Sequence, residues 1–253
     1  MSGAQLVVRQ LRLEQRVYWR NPEAAFFGFA LPLGLLAIFG ATSQMDGPYQ
    51  RADLAPHALL VPGILAFGLI VAAYGFLAAT FTNLRAEGVL KRIRATPVSP
   101  RLYIGVHLLS TVCTSILIAA LTIALGAAAF ETAPVRPLTT IVVVMLGVTC
   151  FASLGIAISA FIPTPNSAGV ITNATYLPLA LVSGTFNTGL QLPTWLDRAV
   201  GVFPVKALTH GLRMGYDPAA HTWPTADLLV LLAWTALGVI LSLRFFRWEP
   251  PTR

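Results

Sequence analysis

Six long stretches without Asp, Glu, Lys or Arg limit what this chain can fold into. They cover residues 24–40, 57–81, 102–130, 138–162, 168–186 and 228–243. A helix of about 20 apolar residues crosses the hydrocarbon core of a membrane. Only 11% of the residues are charged, whereas a soluble domain carries about 25%. The sequence therefore predicts an all-α integral membrane protein with six transmembrane helices.

The length of the chain excludes a large extramembrane enzyme. Six spans and their connections use most of the 253 residues, and a soluble catalytic domain needs roughly 100 to 150 more. We expect a single transmembrane domain over residues 1–253. Its parts outside the spans are an N-terminal segment at 1–22, a link at 82–101 and a long segment at 187–227.

The basic residues predict the orientation of the spans. The N-terminus, the segment 82–101, the turn 163–167 and the C-terminus together hold 12 of the 17 Lys and Arg residues, and the opposite set of segments holds five. Cytoplasmic loops carry the excess of basic residues. Both termini are thus expected in the cytoplasm, and the net charge of +7 is attributed to these loops, with no nucleic acid as partner.

The N-terminal segment has the pattern of an amphipathic helix. Arg9, Arg12, Arg16 and Arg20 follow at intervals of three or four residues and share one stripe, while leucine and valine occupy another. Such a helix lies in the headgroup plane and binds anionic lipids. It acts either as a membrane anchor alone or also as a contact surface for a cytoplasmic partner.

The link between the second and third spans predicts a short charged helix from Leu84 to Ala95. Ala86, Leu90 and Ile93 share one face, and Thr96-Pro97 ends the helix. A rigid helix between two spans can pass force from a soluble partner into the membrane, which a flexible loop cannot do. The alternative is that this basic loop only determines topology.

In this segment the sequence resembles the type-2 ABC transporter permeases, the membrane subunits of drug, lipid and polysaccharide exporters. The matching residues are Arg85, Glu87, Gly88, Leu90, Thr96 and Pro97. The chain also departs from the family pattern at two places. Family members often have an arginine directly before the glycine, where this chain has Glu87, and a Gly-Lys pair at the head of the third span, where it has Gly105-Val106-His107. The resemblance implies that Leu84 to Ala95 is a coupling helix, seated in a groove of a separate ATPase subunit.

A second block of resemblance follows the fifth span. It consists of Leu192-Pro193 with Trp195-Leu196, then residues 203–208, and then Gly211-Leu212-Arg213. In the family this region forms short re-entrant helices on the outer side. Together the two blocks and the six spans cover essentially the whole chain, and they imply that two permeases, as a homodimer or heterodimer, line one export path.

The chain lacks the residues for its own energy supply. A phosphate-binding loop would end in Gly-Lys-Ser/Thr, but the only lysines, Lys91 and Lys206, do not follow glycine. We expect no cofactor in this chain, with ATP and Mg²⁺ bound by the partner subunit.

The spans hold no carboxylate and no pair of closely spaced histidines, which disfavours a proton relay and a metal site. His107 is expected near the headgroups.

Polar residues within the spans are the candidates for lining a substrate path. Ser110 and Thr114 lie in the third span, and Asn173 and Tyr176 lie in the fifth. Small hydroxyl residues more often mediate helix packing, whereas an amide inside a span needs a partner. The fifth span is therefore the best candidate, and its mild polarity suits an amphipathic substrate.

On the outer side Lys206, His210 and Arg213 recur on one face of a helix that begins at Pro204. This outer basic stripe either meets anionic headgroups or an anionic substrate, or its side chains simply reach the membrane interface.

The sequence thus predicts the membrane subunit of an ATP-driven exporter in a bacterial plasma membrane, with efflux of an antibiotic as one possible role. Its expected partners are a cytoplasmic ABC ATPase, a second permease and membrane lipids. Two alternatives stay open: a structural or biogenesis membrane protein without transport, and a secondary transporter driven by an ion gradient.

Overall fold

The computed structural model describes residues 3–42, 56–94, 100–186 and 193–246. Every regular element in these ranges is helical. Apolar side chains dominate these helices, and in lipid a helix satisfies its own backbone hydrogen bonds.

We number ten helices, counting adjoining helical segments as one. They are α1 Gly3–Arg20, α2 over residues 22–42, α3 over residues 56–86, α4 Val89–Arg94, α5 Pro100–Phe130, α6 Pro137–Ser159, α7 Pro165–Val182, α8 Thr194–Gly201, α9 Pro204–Tyr216 and α10 Thr225–Phe245.

Four helices in the described ranges are long and apolar enough to cross a membrane. They cover His57–Ala86, Leu102–Phe130, Pro137–Ser159 and Thr225–Phe245. The apolar part of α2, Phe26–Thr42, is shorter, and α7 is interrupted by asparagine and threonine. An all-α membrane protein is thus confirmed, and the count of six spans stays a prediction.

The second span, α3, is the centre of the bundle. Its apolar window is 89% buried, whereas that of α10 is only 11% buried. Leu65, Leu69 and Ile70 of α3 are completely enclosed. The other long helices therefore pack around α3, and α10 lies at the periphery.

Two π-helical turns interrupt the spans. Phe26–Ala30 forms one inside α2, and Val71–Phe76 forms the other inside α3. Each inserts an extra residue into a helical turn and shifts the side chains that follow, and such turns are frequent at functional sites.

Small residues bring the helices into close contact. At Gly155 in α6, an added Cβ atom would lie only 2.9 Å from the carbonyl oxygen of Tyr74 and 3.0 Å from that of Ala73. An added Cβ atom at Gly238 in α10 would similarly lie 2.4 Å from Ser153 Oγ. Because lipid gives no hydrophobic drive for helices to associate, this dispersion contact is a principal source of bundle stability.

Two short helices, α8 and α9, occupy the segment after α7. Leu208 and Leu212 of α9 are completely buried, and Gly215 approaches Thr140 of α6. The α9 helix is thus packed against the spans at the end of the bundle where α5 ends and α6 begins. Residues 187–192, part of the predicted re-entrant segment, lie outside the described residues.

The α1 helix confirms the predicted amphipathic pattern but has a third face. Its four arginines are exposed, and Leu13 and Val17 are also exposed, as expected for an apolar stripe that meets lipid. The third face turns toward α5, where Gln15 donates hydrogen bonds to Ser110 Oγ at 2.9 Å and to Thr114 Oγ1 at 3.3 Å. These contacts fasten α1 to the bundle.

The close contact at Gly155 generates a prediction about stability. We expect Gly155→Ala to destabilise the protein by about 1 to 3 kcal/mol, because the new methyl group meets backbone atoms that cannot move aside. The midpoint of thermal unfolding in detergent, followed by size-exclusion chromatography, measures the effect. Gly105→Ala in α5 is the control, since nothing lies within 4 Å of the added atom. Equal midpoints for both variants would contradict the packing described here.

Candidate functional site

The segment between α3 and α5 is two helices joined by a tight turn. The sequence predicted one helix from Leu84 to Ala95, and this is wrong in detail: α3 runs on to Ala86 and α4 begins at Val89. Gly88 adopts a left-handed backbone conformation with φ +68°, and its N–H donates to the carbonyl of Arg85 at 3.1 Å. Glycine favours this way of ending a helix because it has no Cβ atom.

The turn and α4 present charge on one side and apolar side chains on the other. Leu90 is completely buried and Ile93 packs against the core. Glu87, Lys91 and Arg92 are exposed. Ala86, expected on the face of Leu90 and Ile93, is exposed instead, because the turn at Gly88 changes the helical register.

Arg85 points into the bundle. Only 4% of its surface is exposed, and its guanidinium donates to the carbonyl of Ser159 at 2.8 Å and to that of Ile162. The first carbonyl is that of the last residue of α6 and the second lies three residues beyond it, where backbone acceptors lack helical partners and a cation is favourable. Arg85 therefore joins the ends of α3 and α6.

Two residues of the predicted coupling group, Thr96 and Pro97, lie outside the described residues. Of the remaining four, Glu87 and Gly88 form the turn, whereas Arg85 and Leu90 point inward. The exposed part is thus a small charged surface, and the buried part holds it against the second span.

The four path candidates do not come together. Ser110 and Thr114 face α1 and accept the hydrogen bonds of Gln15. Tyr176 is buried, and its ring lies 6.2 Å from that of Tyr74 in an edge-to-face arrangement. Asn173 is exposed on α7. The α7 helix therefore has an inward aromatic side and an outward amide.

Each side chain of the outer basic stripe contacts another part of the chain. Lys206 donates to the backbone carbonyl of Asp197 at 2.9 Å and also pairs with its carboxylate. His210 Nδ1 lies 2.7 Å from Asp227 Oδ2, and this hydrogen bond raises the pKa of His210. Arg213 donates to the carbonyl of Gly184. These contacts connect α9 with α7, α8 and α10.

Sequence reasoning missed one group of polar residues. Glu14, on the inward face of α1, lies 3.2 Å from His107 of α5, measured between Oε2 and Nε2. The two residues are far apart in the sequence, so no local pattern joins them. The spacing of Gln10, Glu14 and Tyr18 at four-residue intervals is the one signal of a polar inward face.

The bundle of long apolar helices defines a multi-pass helical membrane protein. A family model described as "ABC-2 type transporter" matches residues 5–216, a stretch that runs from α1 to the end of α9 and includes the turn. The chain belongs to this family. It is the membrane component of an ABC transporter and not the ATP-binding subunit, and the family implies an ABC ATPase as partner. No curated protein matches the sequence.

The contacts of Arg85 predict a structural effect of its replacement. We expect Arg85→Met to lower the free energy of unfolding by about 1.5 to 3 kcal/mol, because the hydrogen bonds from a charged donor to buried carbonyls are lost. Arg92→Met is the matched control, since Arg92 is exposed and, among the described residues, donates one long hydrogen bond, 3.4 Å to the carbonyl of Glu87. Thermal unfolding of both variants in the same detergent measures this effect. Equally small losses of stability in the two variants would argue against a stabilising role for the hydrogen bonds from Arg85 to the end of α6.

Proposed function

We propose that the chain is the permease of an ATP-driven exporter. It moves a hydrophobic or amphipathic compound, such as a drug, an antibiotic or a lipid-like molecule, out of the cytoplasm or the inner leaflet. A separate cytoplasmic subunit binds ATP and Mg²⁺ and hydrolyses the ATP. The observation that carries the proposal is the turn at Glu87 and Gly88, where Glu87 is exposed and Gly88 is half-buried, placed at the end of the most buried apolar helix.

The contacts around the turn give a route for force. A partner that docks on Glu87, Lys91 and Arg92 pushes on a segment whose underside is the buried Leu90. Arg85 ties the same segment to the end of α6. A displacement of the turn therefore moves α3 and α6 together, because close-packed helices transmit motion rather than absorb it.

The charge distribution supports an orientation with this turn and both termini in the cytoplasm of a bacterial cell. The exposed arginines of α1 and the charged turn lie at the same end of the bundle, since α1 packs on the first half of α5. Basic residues at that end would bind the anionic headgroups of the inner leaflet of the plasma membrane.

A second permease, identical or related, would complete the complex. Asn173 is exposed on α7, and no hydrogen-bond partner for it occurs among the described residues. An amide that faces lipid without a partner is costly. A second copy of the membrane domain would cover this face, and the two copies would enclose the substrate path.

The character of the spans favours an amphipathic substrate over a simple ion. Their polar groups are mainly hydroxyls, with one amide, two cysteine thiols and two histidines in different stretches, and the six uncharged stretches hold no carboxylate. Secondary transporters driven by ions depend on chains of ionisable residues inside the membrane. A structural membrane protein without transport would need no charged turn held rigidly on the central span.

The exposed carboxylate of Glu87 allows a test of coupling that Arg85 does not, since replacing buried Arg85 also disturbs the fold. We expect Glu87→Gln to insert normally but to lose substrate-stimulated ATP hydrolysis in the complex with the ATPase. Losing one partner of a close charged contact commonly costs about 2 to 5 kcal/mol, which lowers the affinity of the subunits by more than tenfold.

Glu131→Gln is the control for this experiment, because Glu131 is also exposed but lies after α5, at the far end of the bundle. ATP hydrolysis and export are measured with both variants in proteoliposomes. Normal export by Glu87→Gln would rule out the proposed role of the turn.

A further inference from the structure

A polar cavity lies between α1, α3 and α5, apart from the coupling turn. Its volume is about 130 Å³, and its lining includes Glu14, Tyr18, Phe76, Asn83, His107 and Ser110. Ser110 is the eleventh residue of α5, which places this part of the cavity roughly 15 Å along the helix. The cavity is thus at the depth of one leaflet, at the end of the bundle that carries α1.

Two polar atoms, His107 Nε2 and Glu14 Oε2, face each other in this cavity at 3.2 Å. His107 Nδ1 lies 3.2 Å from the carbonyl oxygen of Tyr103, and since a carbonyl only accepts, Nδ1 carries a hydrogen. With a single hydrogen on the ring, Nε2 is an acceptor. This Nε2 atom is buried and makes no hydrogen bond among the described residues.

The two acceptors are well shielded from water. His107 is only 4% exposed and Glu14 is 18% exposed. The other carboxylate oxygen of Glu14 accepts from the side-chain amide of Gln10 at 3.1 Å, which fixes the orientation of the group. Burying an acceptor without a donor is unfavourable, so this site favours a ligand that brings N–H groups.

The charge of the lining favours a cation. Glu14 is the one side chain with a formal charge in the described lining, and no lysine or arginine is part of it. Burial raises the pKa of Tyr18, so its hydroxyl stays protonated and adds no negative charge. The aromatic rings of Tyr18 and Phe76, 5.9 Å apart and edge to face, supply an apolar wall beside the carboxylate.

The surroundings of Tyr18 indicate a site built into the fold. Its ring contacts Phe29 in the π turn of α2 and Phe76 in that of α3. A side chain at Gly28 would collide with the Tyr18 hydroxyl, since the added Cβ atom would lie 2.4 Å from it. The π turn of α3 therefore lines the cavity through Ala72 and Phe76, and the π turn of α2 contacts it only through Tyr18, consistent with the frequent association of such turns with function.

We propose that this cavity binds the protonated amino group of an amphipathic amine, which donates N–H bonds to Glu14 Oε2 and His107 Nε2. At about 130 Å³ the cavity is smaller than the 300 to 1,000 Å³ of typical ligand pockets, so it holds the ammonium head while the apolar part extends into the lipid. The inference deepens the proposed export function by naming its substrate class. The role of the amine as a substrate rests on that proposed function, whereas the binding site itself rests on the contacts described above.

The test is equilibrium binding of radiolabelled decylamine to the full chain in lipid nanodiscs, with empty nanodiscs subtracted. We expect Glu14→Gln to weaken binding by about tenfold to a hundredfold, the effect of losing a hydrogen bond to a charged group. Glu131→Gln is the matched control and should bind like the unmodified chain. Equal binding by Glu14→Gln and the control would overturn the proposal.

A competition series on the unmodified chain keeps the test decisive if Glu14→Gln does not fold. Decanol has no charge, and decyltrimethylammonium is charged but has no N–H group. We expect decylamine to displace the radiolabelled probe at concentrations at least about tenfold lower than either compound. Displacement by decanol at the same concentration as decylamine would overturn the proposal, and so would equal potency of decyltrimethylammonium.

The same samples separate this inference from the proposed function. Substrate-stimulated ATP hydrolysis is measured with the ATPase subunit present. Specific decylamine binding without stimulation would support the site and contradict its role in export. Stimulation by other amphipathic compounds, with no Glu14-dependent amine binding, would support export and contradict the site.

Discussion

The contact between α3 and α6 is the interaction on which the rest of the structure depends. Lipid offers no hydrophobic force to hold helices together, so they associate through close packing and polar contacts. The backbone at Gly155 lies directly against that at Tyr74, and further along the same pair Arg85 binds the carbonyls that end α6. The second span is thereby fixed at the centre, and the other helices surround it.

This central position explains how a small exposed turn can act on the whole bundle. Glu87 and Gly88 directly follow the buried span, and Leu90 anchors the helix that comes next. The turn is exposed enough to meet a soluble subunit, and its connections are buried enough to transmit movement. The cavity at Glu14 and His107 lies against the same span, so ligand binding and partner binding would act on one element.

Much of the fold follows from the sequence because a membrane imposes simple rules on composition. Long uncharged stretches predicted the long helices, and the arginine spacing predicted α1. The break at Gly88, the inward direction of Arg85 and the two π turns depend on neighbouring helices, so hydropathy and periodicity did not reveal them. A glycine within a helical pattern was the available sign of the break. The pairing of Glu14 with His107 joins distant segments and needed the structure.

Purification of the tagged chain from its native host in mild detergent tests whether this membrane bundle works with a separate ATPase. Mass spectrometry then identifies the proteins that elute with it. We expect a stoichiometric ATPase with a phosphate-binding loop. A chain that elutes alone, under conditions in which known subunit complexes survive, would contradict the export function and favour a membrane protein without transport.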